Sequence, residues 1–454
     1  MNNFSNGRRD FLKLLGSVAI AGNFQNLIEP HIKTSNLTTL DRVFISNEDS
    51  NTISVIDPIK NIVETTINLT SFDEDPRPPF RFVTGGIIPT HASMVNKPLY
   101  HGCIGAHGVI PSPDGRILAT AGRGSSNIYL IDTISKKVIG NKPNPFFGKG
   151  VSVNEDIISG GIFVGREPHE ATFTKNGKEL WVAVRGENKI VIIDVNLAIK
   201  ELQGEEINSI IKRINTIRGP SQVWFSSDYN IAFVASQKEP KLDIFETNFD
   251  ESFYSHPKRK STIDISEQDK FGFTPFIKLS PDGQEIWLSH KLSDAISSRS
   301  VEYPFPLHDL IHLGENSRPN HLEFVENKNG KVVYVSQARV DDRNPQGVAS
   351  SQIAIIDRSE KPGKRKVVKL FYSYGREAHG LWTNPDNTLL YIAHEQDELP
   401  GTKNEGQTVV TVFDVSNPLY PEFITQIPLG YLKLPSGNLR NKKSINLVYV
   451  RTHI

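Results

Sequence analysis

Short runs in which apolar and polar residues alternate follow one another along almost the whole chain, and runs with helical spacing are scarce. One unit reads Ala106-His107-Gly108-Val109-Ile110-Pro111, a turn at Asp114-Gly115, then Arg116-Ile117-Leu118-Ala119-Thr120-Ala121, a polar turn, and Asn127-Ile128-Tyr129-Leu130-Ile131-Asp132. Further copies begin at Pro168-His169, Pro220-Ser221, Thr274-Pro275, Asn320-His321 and Ala378-His379. Two-residue turns at Asn176-Gly177, Asp282-Gly283 and Asp386-Asn387 join runs rich in Val, Ile, Tyr and Trp, which is the pattern of β-hairpins. A period of about forty to fifty residues holding four strands marks propeller blades, because one such sheet cannot bury its faces until neighbours stack on it. The pattern therefore predicts an all-β, seven-bladed β-propeller of four-stranded antiparallel blades over residues 40–454.

Arg42 to Leu69 supplies only three strands and lacks the inner-strand signature. The run Asn446-Leu447-Val448-Tyr449-Val450-Arg451 is predicted to complete this first blade, closing the ring and removing its exposed edges. Ser71 to Gly105, Lys142 to Gly165, Ser293 to Glu315 and Arg339 to Ser350 are read as loop insertions.

Composition changes the picture in one respect. Lys plus Arg and Asp plus Glu both number 51, so no bulk field favours nucleic acid. A single Cys excludes a disulfide framework. Residues 1–30 read as an address: Arg8-Arg9-Asp10-Phe11-Leu12-Lys13, the mild apolar run Leu14 to Ala21, and Ala19-Ile20-Ala21 as a cleavage site. This resembles a twin-arginine signal, with Gly7 where Ser or Thr is usual. The expectation is a protein exported folded to the periplasm or beyond, with no membrane span in the mature chain. Clients of that route commonly carry a cofactor inserted before export.

Blade geometry turns the register into chemistry, since the innermost strand lines the channel and starts on the face where the next loop ends. Eight residues before each turn stand His107, His169, Ser221, Pro275 and His379, with His321 included by a one-residue allowance. Eight residues after it stand Arg123, Arg185, Gln237, Lys291 and Glu395, with Arg339 joined by the same allowance. The chain holds only 13 His, so four at one register are the leading metal-ligand candidates. Imidazoles in a ring suit copper, zinc or iron, and cations beside them favour an anionic ligand. His290 and His394 are weaker candidates, as are His101 and Cys103, which with His91 precede the first full blade. Asp341-Asp342, Glu395 and Asp397 near the same face offer hard-cation ligands. No phosphate loop, dinucleotide fingerprint, nucleophile elbow, zinc-protease helix or Cys-x-x-Cys-His haem attachment site is present.

Pro168-His169-Glu170-Ala171-Thr172-Phe173, with Leu180-Trp181-Val182-Ala183-Val184-Arg185-Gly186 and Lys189 to Asp194, resembles the YVTN-repeat propellers, and the likeness covers nearly all of Arg42 to Leu429. Relatives within that superfamily are the cytochrome d1 propeller, the copper-binding propeller of nitrous oxide reductase and the lactonase-type propellers. The first two imply periplasmic export and a haem-like group or copper held by inward histidines, which would map to His107, His169, His321 and His379. Ser221 and Pro275 depart from that pattern, and the sequence given carries neither a c-type haem domain nor a cupredoxin domain, so a complete reductase is not expected. The lactonase likeness rests on Glu395 among His and Arg. The resulting expectation is an exported propeller binding a metal, a haem-like group or an anionic small molecule, in an accessory or redox role that leaves room for a periplasmic protein partner. A protein-interaction scaffold and a lactonase-type hydrolase are the alternatives, and whether the protein is an enzyme stays open.

Overall fold

Middle strands buried on both faces and outer strands that alternate set the architecture. Glu179–Val184 is buried along its whole length, whereas the outer strand Lys258–Asp264 alternates exposed and half-buried positions. This is what radial stacking of small sheets produces. The computed structural model describes residues 40–69, 105–140, 161–343, 348–433 and 439–452. It is a seven-bladed propeller of four-stranded antiparallel sheets, within one compact unit spanning Asn36–Ile454. Residues 1–30, read above as an export signal, lie outside the described residues, and no described helix is long and apolar enough to cross a membrane.

Blade 1 is assembled from the two ends of the chain. The C-terminal strand Ser444–Val450 is its innermost strand and pairs antiparallel with Arg42–Asn47, matching Arg42 to Val450 and Ile45 to Leu447. Its seven residues are all buried. Tyr449 Oη donates to Asp41, Arg451 pairs with Asp41 at 3.0 Å, and Thr452 Oγ1 donates to the Gly115 carbonyl of blade 2. Blades 2 to 7 follow in chain order, with inner strands Ala106–Pro111, Pro168–Phe173, Pro220–Phe225, Phe276–Leu279, Pro319–Asn327 and Arg376–Thr383.

A shared turn fixes the register between inner and second strands. In Ser112-Pro113-Asp114-Gly115 the Ser112 hydroxyl donates to Asp114 Oδ1, which also accepts from the Arg116 amide. The same two bonds recur in Ser226 to Asn230 and Ser280 to Gln284. The fourth residue of the turn takes left-handed backbone, φ 70° at Gly115 and 61° at Tyr229. Between blades, Trp181 and Trp287 are fully buried, and each donates its indole N–H to the Glu two residues earlier.

The insertion readings need correction. Lys142 to Gly165 ends in a strand, Ile162–Phe163, that pairs with Asn127–Asp132 of blade 2, and Arg339 to Asp341 continues the second strand of blade 6. Ser293 to Glu315 is not an insertion: it contains the third and fourth strands of blade 5, Ala295–Ser300 and Leu307–His312. Its polar sequence concealed this, because Ser297, Ser298 and Arg299 are buried on side-chain partners His290, Asp309 and Gln268. A helix, Val195–Leu202, also stands where only strands were read, capped by Asp194 through the Leu197 amide and burying Val195, Ala198 and Leu202.

Candidate functional site

The inner strands share one irregularity. In blade 3 Pro168 pairs with Val184 and Ala171 with Val182, so His169 and Glu170 together face one residue of the neighbouring strand. Blades 2, 6 and 7 repeat this at His107-Gly108, Asn320-His321 and His379-Gly380. Such a bulge bends the strand and re-aims its side chains. Four imidazoles thereby meet in an arc at the channel mouth, with ring centroids 4.4 Å apart for His169 and His107, 6.1 Å for His107 and His379, and 4.7 Å for His379 and His321.

All four rings are buried, and burial, reinforced by their neighbours' positive charge, pushes each pKa well below the usual histidine value. They are therefore neutral near pH 7, each with one ring nitrogen that can accept a hydrogen bond or bind a metal. His169 is held firmly: Nδ1 donates to the Ser221 carbonyl at 2.9 Å, and Nε2 lies 3.1 Å from the Gln237 amide nitrogen. Arg185 fixes that amide by donating to Gln237 Oε1, and it is itself paired with Glu167 at 3.2 Å. Burial lowers the Arg185 guanidinium to about 10.

The arc lines a cavity of ≈ 120 Å³, whose wall also carries Arg123, Gln237, Lys291 and Glu395. Arg123 pairs with Glu48 at 3.0 Å; Lys443 lies 3.2 Å from Glu48 and 3.6 Å from Glu395; His379 Nε2 is 3.3 Å from Glu395. Pro275 also lines the cavity, whereas Ser221 is used up in a bond to the Thr274 carbonyl. A further buried ion pair on the inner strands, outside the cavity lining, joins Lys278 with Glu323 at 2.6 Å, its ammonium 3.8 Å from the Trp382 ring centroid.

Several positions differ from the sequence reading. The backbone bonds that align Arg123, Arg185, Gln237 and Lys291 with the inner strands place Ala338, not Arg339, in that set, through Ala338 N to Arg318 O at 3.1 Å. Arg339 is exposed and donates to the Glu315 carbonyl. The same alignment puts Asn320 at the register of His169, with His321 one residue further in the bulge; both reach the cavity. Arg185 stands behind Gln237 rather than on the wall. His290 and His394 point into their own blades, His290 bonded to Thr274 and Ser297 and His394 to Ser373 and the Val409 carbonyl. Asp341 is taken up by Arg343. His91, His101 and Cys103 lie outside the described residues.

The residue the sequence reading missed is Glu170. Its Oε1 lies 3.5 Å from His107 Nδ1 and 3.3 Å from the Asn446 amide, and burial pushes its pKa up to about 8. His107, His169 and Glu170 offer ligand atoms within 4.8 Å of one another. A signal was available, since the residue after the inner-strand His is Gly in blades 2 and 7 and Glu in blade 3. Gly108 makes the room: a Cβ there would stand 2.4 Å from Glu170 Oε2 and 2.5 Å from the His169 carbonyl oxygen. Gly108→Ala is therefore expected to cost about 1–3 kcal/mol in denaturant unfolding.

No family model matches the chain, and no curated protein does. Solved structures do. Hydrazine synthase from Kuenenia stuttgartiensis superposes with TM-score 0.53 at 16% identity, covering 81% of this chain and 100% of the other. A candidate 6-phosphogluconolactonase from Bacteroides fragilis gives 0.58 at 10%, covering 92% and 100%. A functionally unknown protein from Desulfotomaculum acetoxidans gives 0.57 at 11%, covering 91% and 100%. At these identities the likeness shows the propeller fold alone.

Proposed function

We propose that the protein is a metal-binding propeller in which His107, His169 and Glu170 hold one transition-metal ion, with His379 beside it. The observation that carries this reading is the convergence of two neutral imidazoles and one carboxylate within 4.8 Å. Bonds of about 2.0–2.2 Å would need donors up to 4.8 Å apart to draw together by about 1 Å. His169 donates from Nδ1 to a backbone carbonyl, the support that metal-bound histidines use, and its Nε2 would exchange the Gln237 amide for the ion. The nitrogen-rich donor set suits copper, zinc or iron over calcium or magnesium. A bound ion would act as a Lewis acid or, for copper or iron, a one-electron centre, which accords with an accessory or redox role in the periplasm. A haem-like group suits the site poorly: ≈ 120 Å³ falls well short of the roughly 300–1,000 Å³ of ordinary ligand pockets.

The test is elemental analysis and metal titration of protein exported through its own leader. One equivalent of metal is expected in the wild type, with affinity at least about tenfold weaker in His107→Ala and in Glu170→Gln. A metal-free wild type that also fails to bind added Cu²⁺, Zn²⁺ or Fe²⁺ would sink the reading. The lactonase alternative is favoured only by the His379–Glu395 pair; Glu395→Gln should then abolish hydrolysis of simple lactones.

A further inference from the structure

Across the cavity from the proposed metal ligands, the wall is cationic in a way the ion pairs do not absorb. Four basic residues line it, Arg123, Lys291, Arg318 and Lys443, against three acidic ones, Glu48, Glu377 and Glu395. Arg123 and Lys443 are paired with Glu48, and Lys443 also neutralises Glu395. Glu377 accepts from Gln396 at 2.9 Å, and burial together with the charge of Glu395 raises its pKa. Among the described residues, the Lys291 ammonium and the Arg318 guanidinium have neither an ion pair nor a side-chain hydrogen bond. Lys291 is half-buried in the 3-10 turn that follows the second strand of blade 5, and Arg318 lies at the start of blade 6, exposed at the rim. Asn320 and His321 of blade 6 line the same cavity.

We infer that this wall is a subsite for a small carboxylate or inorganic oxyanion, its charge met by Lys291 and Arg318 and its reach limited to a few heavy atoms by the cavity. The half-buried Lys291 has more to gain from an anion than an exposed lysine would, since water screens it less, and Arg318 adds its charge at the rim. At ≈ 120 Å³ the cavity suits acetate or formate better than a phosphorylated sugar or an aromatic acid. The subsite shares its cavity with the proposed metal centre but rests on different residues.

The experiment is calorimetric titration of acetate, its neutral isostere acetamide, and benzoate into chelator-treated and metal-loaded protein at fixed ionic strength. Acetate is expected to bind at least about tenfold more tightly than acetamide, with benzoate excluded. Lys291→Met should weaken acetate at least about tenfold and Lys291→Arg should restore most of it. Arg318→Gln, at an exposed position where folding is not at stake, should weaken it less, and thermal melts confirm that each variant is folded. No acetate binding, equal binding of acetamide, entry of benzoate, or binding indifferent to Lys291→Met with Arg318→Gln would each overturn the inference. Lys291-dependent acetate binding in protein that takes up no metal would leave this subsite standing while the metal reading falls.

Discussion

A chain ended after Lys443 is expected not to form the closed ring. It loses the innermost strand of blade 1, which carries Ile445, Leu447, Val448, Tyr449 and Val450, all almost fully buried. At about 1.5–3 kcal/mol for each large apolar side chain buried, the loss is on the order of 10 kcal/mol. That equals the whole stability of an ordinary domain, about 5–15 kcal/mol. Truncation also exposes the edge of Arg42–Asn47 and unseats Phe44 and Val55, which pack against Val448 and Val450. The measurement is thermal unfolding by circular dichroism together with limited proteolysis. The expected outcome is no cooperative transition and rapid digestion; a truncated chain that melted cooperatively near the wild-type temperature would show that six blades and three strands close without this strand. Tyr449→Phe, which removes only the bond to Asp41, should cost about 1 kcal/mol.

That closure was legible in the sequence because alternation and turn residues are local signals. Asn446 to Arg451 alternates like a strand, and Arg42 to Leu69 falls one strand short of a blade. The blade count could be read for the same reason, since each Asp-Gly-like turn restarts the register. Where local polarity and burial disagree, the reading failed: Ala295 to Ser300 is a buried strand whose serines and arginine are satisfied by partners far away in the chain. At the site, the register identified which strand ends converge, and it erred by a single residue in blade 6. The turn there is longer, with eight residues between the paired Phe324 and Val333 where blade 3 has six between Phe173 and Leu180, so Ala338 takes the place given to Arg339 and Asn320 the place given to His321. Glu170 was hidden because period-two alternation assigns neighbouring residues to opposite faces, whereas the bulge brings His169 and Glu170 to bear together. His290 and His394 are the converse case, on the channel end of their strands by count but turned into their blades.

The bulge also has a consequence for pH. In metal-free protein, stability is expected to fall by about 2 kcal/mol between pH 6.5 and 8, and Glu170→Gln should remove that fall. Burial raises the Glu170 carboxyl from 4.5 to about 8 in the folded chain, so between those values the folded state holds a proton that the unfolded state has released. Stability must then decrease as pH rises through that window, by about 1.4 kcal/mol per unit, and level off above pH 8. The four cavity histidines act at the other end: their depressed pKa values favour the neutral ring, so their contribution is complete above about 6.5 and is lost as pH falls below it. Glu398, raised by burial to about 7, slopes the same way as Glu170 but does so in wild type and variant alike. The difference between the two denaturation profiles therefore isolates Glu170. Parallel profiles would mean that the carboxyl is already ionised, held by His107 or by water. Adding Zn²⁺ to the wild type should abolish its decline above pH 6.5, because a coordinated carboxylate has already given up its proton, and should leave Glu170→Gln nearly unchanged.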